Sequence, residues 1–181
     1  MVTENLSLAK AQQKTKPNIE DIMNENLDGD ILKNALGFVG FLRANKMTPR
    51  WTATNAWWVK YKGKNLISIR VGPKELVSWG YGLVARSWHI GHWNLHEWFL
   101  NHPEKYHELI NCDNFKAFVW AHLYPCKHCM CCAPGHDGVY LGKKFNSVCG
   151  FRVENPEIDE LELAKKLLEC KKNMIAESVS K

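Results

Sequence analysis

The chain has 181 residues, of which 45% are hydrophobic and 24% charged, a balance that excludes a disordered polyelectrolyte and fits one α+β domain with a sizeable core. The net charge of +5 is scattered over Lys60–Lys64, Lys143–Lys144 and Lys165–Lys172, so a dedicated nucleic-acid binder is not expected. No apolar run approaches the roughly 18 residues of a membrane span, and Met1–Leu6 lacks a basic segment followed by an apolar one; a cytoplasmic protein is expected.

In chain order, residues 1–17 are polar and read as a frayed or disordered lead-in, with some helix around Leu6–Gln12, ahead of a single domain over 18–181. Asn18 is placed to cap a short helix, Ile19–Glu25. Leu32, Ala35, Leu36, Val39 and Leu42 recur at helical spacing, which predicts a helix over Ile31–Asn45 that Pro49 stops. Trp57, Val59 and Tyr61 alternate, as do Ile67, Ile69 and Val71 beyond Lys62-Gly63-Lys64-Asn65, which predicts an antiparallel hairpin. Leu76–Trp79 and Ala85–Ile90 are short strand candidates.

His92–Leu100, Pro103–Ile110 and Asn114–Leu123 read as helical, the last capped by Asp113 and ended by Pro125. Val139–Leu141 and Val148–Val153 read as a second hairpin around Gly142-Lys143-Lys144. Asn155 and Pro156 have the residue types of a cap and first turn, opening a final helix with the stripe Ile158, Leu161, Ala164, Leu168 and Ile175. The expected architecture is α+β: an antiparallel sheet built from two hairpins, packed by several helices, with a Cys-rich metal-binding loop.

That loop is the strongest chemical signal. Four of the seven cysteines fall between Cys126 and Cys132, and Cys126, Cys129 and Cys132 form Cys-x2-Cys-x2-Cys. An odd number of cysteines in a reducing compartment points to metal or redox chemistry before disulfides. A Cys-x2-Cys turn aims two thiolates at one ion, and tetrahedral Zn2+ accepts four. Cys131, His128, His136 and Cys149 are the candidates for the fourth ligand. Cys149 is favoured, because adjacent Cys131 and Cys132 would strain on one ion and a ligand from the hairpin would tie the loop to the sheet. An iron–sulfur cluster is the alternative cofactor, Cu(I) suits thiolates as well, and Cys126-Lys127-His128-Cys129 has dithiol spacing. Isolated Cys112 and Cys170 read as packed thiols.

The string from Pro125 to Gly135, with Leu141-Gly142-Lys143-Lys144-Phe145 and Val148-Cys149 after it, resembles a set of small uncharacterised bacterial proteins with a Cys-x2-Cys-x2-Cys-Ala-Pro-Gly motif. Phe41–Pro49 and Trp57–Lys64 are similar to it too, and the likeness spans most of Asp28–Lys172. It implies an architecture and no activity. It also implies a ligand set of Cys126, Cys129, Cys132 and Cys149, because the position of Cys131 is not regularly cysteine in that set.

Two further groups stand out. His89, His92 and His96 surround the start of a predicted helix, where the last two share a face. Trp57, Trp58, Tyr61, Trp79 and Trp88 belong to a tryptophan-rich stretch that could line an aromatic pocket for a flat or cationic small molecule. The expected function is a protein with a structural zinc and such a pocket, acting as a binding or sensor module. The alternative is an enzyme or redox protein using the thiolates or the histidine group. The sequence sets neither a catalytic residue nor an oligomeric state.

Overall fold

Helix and strand periods in the sequence translate into the elements of a computed structural model, which describes residues 2–75, 84–92, 103–125 and 136–179. The chain divides into two units, Met1–Ile90 with Glu154–Ile158, and Gly91–Val153 with Asp159–Lys181.

The first unit holds helices α1 (Val2–Thr15), α2 (Ile19–Asn26) and α3 (Gly29–Ala44) and strands β1 (Thr48–Ala53), β2 (Ala56–Tyr61), β3 (Lys64–Val71) and β4 (Trp88–His92), with neighbours β1-β2-β3-β4. Both β1–β2 and β2–β3 pair antiparallel. The β2–β3 turn is Lys62-Gly63, with φ of 45° and 79°. Positive φ at both central residues twists a two-residue turn the way the strands twist. Trp57 pairs with Ile69 and Val59 with Ile67, so all four share one face, and all are buried. A register shift after Val59 makes Leu66 an extra residue in β3 and leaves both Leu66 and Ile67 inside. Met23 of α2 and Ala35, Phe38, Val39 and Leu42 of α3 complete this core.

Three expectations are corrected here. The sheet has more than two hairpins, because Thr48–Ala53 forms a third strand beside β2. Its Pro49 masks it in the sequence, but β1 stands at the end of the strand order, where a residue without an N–H is tolerated. The lead-in forms a helix that reaches Thr15, and its polar Gln12 is buried. The Gln12 carboxamide accepts from the Asn55 backbone N–H at 2.8 Å and donates to Asn55 Oδ1 at 2.6 Å, so a tertiary bond replaces the missing apolar stripe. Asn155 does not cap the final helix, which begins at Ile158. It sits at φ 44° and exchanges two bonds with the Trp88 backbone, accepting its N–H at 2.9 Å and donating to its carbonyl at 2.8 Å.

The second unit holds a 3-10 turn (Pro103–Tyr106), helices α4 (His107–Ile110), α5 (Asp113–Ala121) and α6 (Ile158–Val179), and strands β5 (Leu123–Pro125), β6 (His136–Tyr140) and β7 (Lys143–Glu154). β5 and β6 each pair antiparallel with β7. α5 is preceded by Cys112, not Asp113, at its cap position. Leu161, Ala164, Leu168 and Ile175 of α6 are buried as their spacing predicts, while Ile158 is 64% exposed. Phe118 of α5 meets Phe151 of β7 edge to face at 5.5 Å, next to buried Phe115 and Val153. Among the described residues no helix is long and apolar enough to cross a membrane.

Candidate metal centre

Strand β7 is irregular at its middle against both β5 and β6. Along β5 the partners run Leu123 to Phe151, Tyr124 to Gly150 and then Pro125 to Val148, so Cys149 is an inserted residue. Along β6 they run Tyr140 to Lys143, Val139 to Lys144, Gly138 to Phe145 and then His136 to Val148, so Asn146 and Ser147 face the single residue Asp137. Ser147 takes the left-handed φ of 52°, and its N–H donates to Asp137 Oδ1 at 2.7 Å. The carboxylate thereby satisfies a donor that the broken ladder leaves over. A non-glycine residue at positive φ stores strain, and such positions concentrate where a structure has to aim a neighbouring group.

Pro125 and His136 thus have one partner in common, Val148. Directly paired residues stand about 4.5 to 5.5 Å apart, so Pro125 and His136, which flank segment 126–135, lie at most about 11 Å from each other. The chain leaves and re-enters the sheet beside Cys149. The predicted ligands Cys126, Cys129 and Cys132, with Cys131 and His128, belong to that segment and lie outside the described residues. Cys149 is half-buried in β7, and His136 opens β6. Among the described residues alone, no three His, Cys, Asp or Glu side chains are grouped to hold a metal.

The remaining thiols differ from one another. Cys112 is exposed, against the expectation of a packed residue. Cys170 is half-buried on α6, and burial, then the carboxylates of Glu108 and Glu169, push its thiol up. Burial also raises the Tyr106 hydroxyl, with a smaller contribution from Cys170.

The second group of predicted site residues is spread between core and surface. Trp57 is 1% exposed, with its Nε1 donating to the Pro17 carbonyl at 3.2 Å. Trp88 is fully buried with its ring 5.8 Å from Phe38. Trp58 and Tyr61 are half-buried, and the Lys62 ammonium lies 5.9 Å from the Tyr61 ring. His89 is buried within β4 and His92 ends that strand, so the helix expected to start at His92 does not start there. Trp79 and His96 lie outside the described residues. Reading the sequence missed Asp137 and Ser147; the only trace of their role is an acidic residue and a small polar one at matching distances from the Gly142 turn.

No protein-family model, curated protein or solved structure matches the chain.

Proposed function

We propose that the protein is a metal-binding module in which Cys126, Cys129, Cys132 and Cys149 hold a structural Zn2+. The observation that carries this reading is the shared partner of Pro125 and His136: both ends of the cysteine segment meet β7 next to its inserted Cys149. Three thiolates at Cys-x2-Cys-x2-Cys spacing and a fourth from the sheet make a closed tetrahedral set. Four thiolates leave no open position for a substrate, so the ion ties β5, β6 and β7 together and adds to folding stability. Such thiolates require a reducing compartment, which fits a cytoplasmic protein. Binding of a small molecule belongs in this reading to aromatic side chains away from the metal.

Elemental analysis of protein purified without oxygen tests the proposal. One zinc per chain, colourless, is the expected result. A brown protein with iron and inorganic sulfide would replace zinc by a cluster on the same thiols. Metal-free protein whose cysteines all titrate in the folded state would overturn the reading.

A further inference from the structure

The β6–β7 hairpin turns through Leu141-Gly142, with φ of 50° and 86°, so Lys143 is the first residue after the turn and pairs with Tyr140. Tyr140, Gly138, Lys143 and Phe145 therefore share one face of the hairpin. The Tyr140 ring lies across Gly138, where a Cβ would come within 3.2 Å of it. Phe145 meets Tyr140 edge to face at 6.0 Å. Trp120 of α5 is fixed to the same hairpin, its Nε1 donating to the Tyr140 carbonyl at 2.7 Å. The Lys143 ammonium lies over both of these rings, 5.3 Å from the Trp120 centroid and 5.3 Å from the Phe145 centroid.

We infer that Trp120 and Phe145, backed by Tyr140, form a binding site for a quaternary ammonium group, and that Lys143 is its internal stand-in. The rings are held by contacts that do not involve the lysine: an indole hydrogen bond, an aromatic edge contact and a glycine that makes room. The site is thus formed before any ligand arrives. The lysine is exposed and, among the described residues, enters no ion pair. A primary ammonium is strongly hydrated and seeks acceptors. A methylated ammonium has no N–H groups to satisfy, and aromatic faces alone suit it. The chemistry selects a permanently charged, poorly hydrated cation over an amine, and a flexible surface side chain can withdraw to admit it. This site stands independently of the proposed zinc.

The test is titration of the full-length protein, as purified, with tetramethylammonium, followed by backbone and indole N–H shifts in NMR spectra. The neutral isostere 3,3-dimethylbutan-1-ol serves as comparison for choline. Lys143→Ala should bind tetramethylammonium about 2- to 5-fold more tightly than wild type, since the stand-in is gone. Adding Phe145→Leu to Lys143→Ala keeps apolar bulk and should undo that gain. Amide shifts outside the hairpin report whether each variant stays folded, and Phe145→Met replaces Phe145→Leu if it does not. Unchanged affinity in Lys143→Ala, equal affinity in the leucine or methionine double variant, or equal binding of choline and its neutral isostere would each overturn the inference.

Discussion

Pro125 and His136 register on the same residue, Val148, and the residue after it is the inserted Cys149. A ligand at Cys149 would tie β7 to the cysteine segment at the point where the β5 register shifts. This gives the first prediction. Cys149→Ser should weaken zinc binding at least about 100-fold, because one thiolate of a closed set is lost. Cys131→Ser should keep one zinc per chain. Competition with a chromophoric chelator measures both. Equal retention of zinc by the two variants would remove Cys149 from the ligand set.

The same strand carries a second, metal-independent prediction. Ser147 is held at φ 52° by the Asp137 carboxylate. Glycine reaches that conformation without a Cβ penalty, so Ser147→Gly should leave the fold as stable as wild type or up to about 1 kcal/mol more so. Asp137→Ala should cost about 1 kcal/mol through the lost bond to the Ser147 N–H. Urea titrations of the purified protein check the pair, and a stabilising Asp137→Ala would show that the bulge does not depend on the carboxylate.

Gln12 and Asn55 give the third. They lie 43 residues apart, both are buried, and each supplies the other's hydrogen bonds. Asn55 also sits at φ 52° in the β1–β2 turn, which asparagine tolerates better than most residues. Gln12→Ala would strand the Asn55 N–H and carboxamide in a buried site, at a cost of about 1 to 3 kcal/mol. The loss should appear as a lower urea midpoint with faster hydrogen exchange at Asn55. An unchanged midpoint would mean that α1 docks by other contacts.

Period carried much of the fold in the sequence, and register carried the rest. α3, the β2–β3 hairpin and the apolar stripe of α6 are visible because each repeats a pattern along one element. β1 is not, since Pro49 and Arg50 break its alternation and its place comes from pairing with β2. Asn155 reads as a cap from residue type alone, whereas its bonds go to Trp88, 67 residues earlier. The candidate site divides in the same way. Cysteine spacing points to the candidate ligands of the loop, and Cys149 is arguable from the need to tie loop to sheet. The bulges at Cys149 and Ser147 depend on how three strands slide against one another, which no local pattern encodes. The Trp120 box is hidden for a further reason: its indole and the Tyr140 carbonyl are 20 residues apart on different elements.

The last prediction concerns acid. Glu20 of α2 and Arg43 of α3 form a two-bond ion pair, with Arg43 Nη2 donating to Glu20 Oε2 at 2.8 Å. The Arg43 hydrogen bonds hold the Glu20 carboxyl below its ordinary value, against a smaller opposing effect of burial. A carboxylate whose folded value is depressed stabilises the fold fully above its unfolded value, about 4.3. That contribution is lost as pH falls through 4.3 toward the folded value. Side-chain exposures of 46% and 30% mean that solvent screens the pair, which limits it to below about 1 kcal/mol. Glu20→Gln should therefore lower stability by a small constant amount at pH of about 6 to 8, which is more than about one pH unit above the unfolded value. Below pH of about 4 the difference should shrink toward zero as wild type loses the charge too. Urea midpoints of the two proteins across that range measure it, and a difference that grows on acidification would refute the assignment of this pair.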